Sequence, residues 1–101
     1  MSDEINQILK PYRQKIDSLD EKIVTLLVER EKIIHEVATI KLERNIPAVI
    51  QSRVDQVREN AISIAVQKGG NADYMREIYT KLIKLSCDIE DAHKLENKND
   101  R

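Results

Sequence analysis

The sequence holds no tryptophan and no phenylalanine, and its only aromatics are three tyrosines. A core therefore has to be built from Ile, Leu, Val and Ala. Glycine and proline are scarce, at two residues each, which argues against a strand-and-turn fold and for long helices. The single cysteine, Cys87, excludes an internal disulfide, and a reducing cytoplasm is the simplest compartment. No apolar run is long enough to span a bilayer. The opening residues, MSDEINQ, are acidic and polar, unlike a secretory leader. Positive charge is not in surplus: 17 Lys and Arg stand against 18 Asp and Glu, for a net charge of −1. Nucleic acid is therefore not an expected partner. A glycine-rich phosphate loop and a nucleophile elbow are both missing. His35 and His93 lie far apart in the chain, with no metal-ligand spacing to each other or to Cys87. Neither a metal nor a cofactor is expected.

What is present is helical periodicity over 101 residues, the length of one domain. From Leu9 to Ile40 apolar residues keep a heptad beat. One set is Leu9, Ile16, Ile23, then Arg30, then Val37; the other is Tyr12, Leu19, Leu26, Ile33 and Ile40. Pro11 fits near the start of this helix, where a missing N–H costs little. Alternatively Ser2 or Asp3 caps an earlier start and Pro11 kinks the helix. Asn45-Ile46-Pro47 stops it, because the residue before a proline avoids helical angles. A second helix is predicted from about Gln51 to Lys68, ended by Gly69-Gly70-Asn71. Asn71 or Asp73 caps a third, running to about His93. Residues 94–101 are expected to form a frayed polar tail.

The fold class expected is all-α: one very long helix and two shorter ones in an intertwined homodimeric bundle. Thirty-odd helical residues span roughly 50 Å, whereas a compact domain of this size has a radius of gyration of about 13 Å. The long helix outruns its own domain, and its apolar stripe needs cover along the whole length. An antiparallel second copy supplies that most simply.

Within that stripe Arg30 takes a place that Ile16, Ile23 and Val37 hold on neighbouring turns. Lys41 follows eleven residues later on nearly the same face, about 16 Å along the axis. Two readings are open. Either Arg30 pairs with a buried carboxylate or snorkels to water, or Arg30 and Lys41 point into a cavity that an anionic ligand completes. Arg13 precedes Arg30 by about 25 Å of helix, so one helix cannot bring both to one small molecule, whereas an antiparallel partner can bring its own Arg13. Taken alone, Arg53 reads as solvated. Ser86 and Glu90 share a face of the third helix and read as surface residues, and Cys87 as a packing residue.

Together these residues resemble the all-helical chorismate mutases. The resemblance rests on Arg13-x-x-Ile16-Asp17-x-Leu19-Asp20, Leu26-Leu27-x-Glu29-Arg30 and Val37-Ala38-x-x-Lys41. Pro47, Arg53 and Ile78-Tyr79-x-x-Leu82-Ile83-x-x-Ser86 follow at the family's spacing. It runs from about Leu9 to Glu90. It implies an intertwined homodimer in the cytoplasm that acts in aromatic amino-acid biosynthesis and rearranges chorismate to prephenate without cofactor or metal. By position, Arg13 of the partner subunit and Arg30 would each hold a carboxylate of this small dicarboxylate substrate. Lys41 would contact a carboxylate and the ether oxygen of the breaking bond. Arg53 would lie near the ring end, and Ser86, Ile83 and Val37 would also contact the substrate. Glu90 would face the ether oxygen opposite Lys41, where family members carry Gln or Glu. An ionised carboxylate donates no hydrogen bond, so the resemblance predicts a rate that falls as pH rises.

Two positions depart from the mutase pattern. Many mutases carry a Glu after the Arg53 equivalent and an acidic residue in the preceding turn; here these are Val54 and Ile50. The run Ile46-Pro47-Ala48 with Arg53-Val54 is similar to isochorismate pyruvate-lyases, and mutases of 4-amino-4-deoxychorismate would also lack a need for that Glu. A reading of another class is a non-enzymatic helical dimerisation module.

Overall fold

The computed structural model describes residues 2–99, with side chains described for residues 2–96. Three helices follow in order: α1 (Ser2–Glu43), α2 (Gln51–Gln67) and α3 (Ala72–Asn99), with no strand among the described residues. None of these helices is long and apolar enough to cross a membrane.

Local chemistry explains the boundaries. Helix α1 takes the earlier of the two starts open to the sequence, with Pro11 inside it. Asp3 and Glu4 in its first turn and Lys41 in its last complement the helix dipole. At its end Asn45 adopts a left-handed φ of 57°. The Ile46 N–H bonds the Lys41 carbonyl at 2.8 Å and the Asn45 N–H bonds that of Leu42 at 3.4 Å, the two bonds of a Schellman stop. Helix α2 ends the same way: Gly69 has φ +81° and the Gly70 N–H reaches the Ala65 carbonyl at 2.7 Å. Asn71 caps α3, its Oδ1 accepting from the Tyr74 N–H at 2.9 Å. Helix α3 continues to Asn99, six residues beyond the expected end near His93. The stretch after His93 is polar but contains no Gly or Pro to break the helix. Asp100 and Arg101, the end of the expected polar tail, lie outside the described residues.

The chain divides into two compact units, residues 1–32 and residues 33–101. The first, as described, is a single helix, and its Ile16, Leu19, Ile23 and Leu26 are all more than half exposed. In the second, α2 packs on α3. Its core is small: Ala38 of α1, Ala61, Ile62 and Ala65 of α2, and Ile83 of α3. No large side chain among the described residues is fully buried, and a core this slight is marginal for a chain of this length.

Candidate functional site

The second unit contains a pocket of about 220 Å³, walled by the last turns of α1, the turn after it, and the outer half of α3. Its shape follows from the helix stop. The left-handed Asn45 reverses the chain, so Ile46, Pro47 and Ala48 fold back beside α1. The Lys41 ammonium, one turn before that stop, then donates to the Ala48 carbonyl at 2.9 Å. From α3, Glu90 meets the same ammonium, with Oε1 2.8 Å from Nζ.

The Glu90 side chain is only 7% exposed. Its Oε1 lies within ion-pair distance of Lys41 yet accepts no hydrogen bond from any described residue. The contact is thus an ion pair by distance without the angular geometry of a hydrogen bond.

The other expected residues are placed as follows. Ile83 and Ser86 are buried on α3, seven and four residues before Glu90 on the face that ends in it. The surface reading of Ser86 and Glu90 is therefore overturned. Both sit on the stripe that α3 turns inward, which their polarity concealed. The Ser86 hydroxyl donates to the Leu82 carbonyl at 3.0 Å. Val37 is half-buried next to Ala38, which lines the pocket. Arg53 is exposed and donates to Gln56 at 2.7 Å, and it is not among the lining residues. Val54 is half-buried and Ile50 exposed. Arg13 and Arg30 belong to the first unit, where Arg13 donates to Asn6 at 2.9 Å and Arg30 is half-buried.

Three features escaped the sequence. Lys94 lines the pocket one turn past Glu90; its four-residue spacing from Glu90 was a usable signal. The Ala48 carbonyl, a backbone group, left no signal. His35 and His93, remote in sequence, have ring nitrogens 2.7 Å apart. Burial first, and then the Glu90 carboxylate, push the Cys87 thiol above its ordinary value, which suits a packing residue better than a nucleophile. No three His, Cys, Asp or Glu side chains among the described residues are grouped to hold a metal ion.

The pocket can fix an anionic or ether oxygen against one ammonium while presenting a carboxyl group from another helix. It falls below the roughly 300–1,000 Å³ of most ligand sites, so a ring-bearing substrate needs further walls. Comparison with known proteins agrees in kind. The family described as chorismate mutase type II matches residues 12–91. A curated protein of Aquifex aeolicus, named as a bifunctional chorismate mutase/prephenate dehydratase, is 28% identical over 85 residues. That match covers 81% of this chain and 24% of the relative, so the chain spans about a quarter of that protein's length.

Proposed function

Because this chain belongs to the type II chorismate mutase family, we propose that it catalyses the rearrangement of chorismate to prephenate, as a cytoplasmic homodimer serving aromatic amino-acid biosynthesis. The observation that carries the reading is the Lys41–Glu90 pair, largely buried and held at a pocket between the end of α1 and α3. The reaction has one substrate and no covalent intermediate. It needs the enolpyruvyl side chain held folded over the ring and negative charge stabilised as it grows on the ether oxygen. Arg30 and Arg13 of the partner subunit each hold a carboxylate. Lys41 donates to the ether oxygen from one side, and protonated Glu90 donates from the other. Arg53 lies near the ring end, and Val37, Ile83 and Ser86 complete the contacts.

The apolar stripe of α1 supports the dimer. Burying one Leu or Ile completely stabilises by roughly 1.5–3 kcal/mol, and Ile16, Leu19, Ile23 and Leu26 are all largely uncovered in a single chain. The small pocket supports it too, since an antiparallel partner supplies both the missing wall and the second arginine.

Binding carries a proton cost. With Nζ and Oε1 2.8 Å apart, no atom fits between Lys41 and Glu90. An ether oxygen that enters there separates the pair, and Glu90 must take up a proton before it can donate. Substrate binding is therefore linked to proton uptake, and activity declines toward alkaline pH.

Val54 and Ile50, apolar where many mutases carry acids, favour a second reading in which the ring substituent differs: isochorismate cleaved to salicylate and pyruvate, or 4-amino-4-deoxychorismate. Parallel incubation with chorismate and with isochorismate, without added cofactor, separates these readings. Prephenate supports the mutase, and salicylate plus pyruvate the lyase. No turnover of either, with no protection against heat by a dicarboxylate ligand, leaves the helical dimerisation module.

A further inference from the structure

Outside the candidate pocket, one close polar contact between helices is not used by a mutase mechanism. His35 of α1 and His93 of α3 place Nδ1 and Nε2 2.7 Å apart, with ring centroids 4.9 Å apart and planes tilted by 57°. His35 lies three residues before Ala38, and His93 three residues after Glu90. Ala38 and Glu90 both line the pocket. The histidine contact therefore clasps the two helices one turn from Glu90 on α3 and nearly two turns from Lys41 on α1.

We propose that His35 and His93 are positioning residues: their hydrogen bond holds α3 so that Glu90 stays against Lys41, and a second proton on the pair releases it. A bond between two imidazoles needs one N–H and one nitrogen lone pair. The neutral pair meets that need, and so does a pair with one extra proton. Two imidazolium rings have no acceptor between them and repel at this distance. Between about pH 8 and pH 5, where histidines change charge, the contact has a bound state and a broken one.

Charged and polar groups surround the pair. On α1, helical spacing puts Glu31 and Lys32 one turn before His35 and Thr39 one turn after. On α3, Glu90 precedes His93 by one turn and Glu96 follows by one. On α2, Arg53 is hydrogen-bonded to Gln56, and Arg58 and Gln51 to Asp55. The Lys41–Glu90 pair is a second polar link from the end of α1 to α3, and loosening the clasp weakens the hold on Glu90.

The consequence for activity rests on the proposed function; the clasp does not. If Glu90 ionisation sets the alkaline limb of the rate profile, the histidine pair sets a separate acid limb. The test follows the ring signals of His35 and His93 by NMR in the full chain without substrate, from about pH 8 to pH 5. The rate of chorismate consumption is measured over the same range. In the parent protein the two rings should titrate in coupled steps. His93→Gln keeps a donor and an acceptor but cannot charge. In that variant His35 should titrate in one simple step and the acid limb should flatten. His93→Ala removes the bond and should lower the rate about two- to tenfold near pH 8, the equivalent of one hydrogen bond, with little further loss near pH 5, where the parent's bond is already broken. Coupled titration without chorismate turnover upholds the clasp and removes only the mutase reading. His35 titrating identically in parent and His93→Gln overturns the clasp. Coupled titration with an unchanged acid limb in His93→Gln overturns the positioning role.

Discussion

The ammonium of Lys41 on α1 and the Oε1 of Glu90 on α3 stand 2.8 Å apart, and that buried oxygen accepts no hydrogen bond from a described residue. As a resting pair they neutralise each other. A ligand that enters between them turns Glu90 from partner into donor, which requires a proton. Glu90→Gln supplies a permanent donor. Its rate profile should be flat across the pH range in which the parent loses activity toward alkaline pH. Steady-state rates with chorismate at a series of pH values read this directly, and an unchanged alkaline decline in the variant would refute the role of Glu90.

Leu19 and Ile23 sit one turn apart on the uncovered stripe of α1. Replacing both with Glu puts two charges where a partner helix is to pack. The parent should sediment at twice the mass of the chain. The double variant should sediment as a single chain or fail to fold, since each large apolar side chain buried is worth roughly 1.5–3 kcal/mol. A parent that sediments as a monomer contradicts the dimer.

Gly69 ends α2 with φ +81°, and a side-chain carbon added there meets no atom within 4 Å. Gly69→Ala therefore tests backbone strain without steric clash. It should cost about 1 kcal/mol, lowering the thermal midpoint by roughly 4–8 °C, with the rate per folded site unchanged.

Cys87 is held above its ordinary titration range, first by burial and then by the Glu90 carboxylate. The folded state thus favours the neutral thiol. Its contribution to stability is present below the ordinary thiol value and is lost as pH rises through the raised one. Alkylation near pH 8 should run slower in the folded protein than in the urea-unfolded chain. Equal rates would show a thiol that the fold does not protect.

Much of this was legible in the sequence because helices declare themselves locally. The heptads of α1, the stops at Asn45 and Gly69 and the Asn71 cap are written in consecutive residues. The buried places of Ser86 and Glu90 were not. A polar residue on an apolar stripe reads the same whether it meets water or a cavity, and only packing decides between them. The Ala48 carbonyl and the His35–His93 contact depend on how a turn folds back and how two helices meet. Nothing at the positions themselves marks that.

The most direct measurement mixes two variants, Arg13→Ala and Arg30→Ala, each expected to be inactive alone. The two are unfolded together, refolded to exchange subunits, and assayed for prephenate formation. If Arg13 serves the site of the opposite chain, each mixed dimer contains one site with both arginines. Random pairing then restores about one quarter of the parent's sites. If both arginines act within one chain, no mixed dimer holds an intact site, and a mixture as inactive as its components contradicts the shared site.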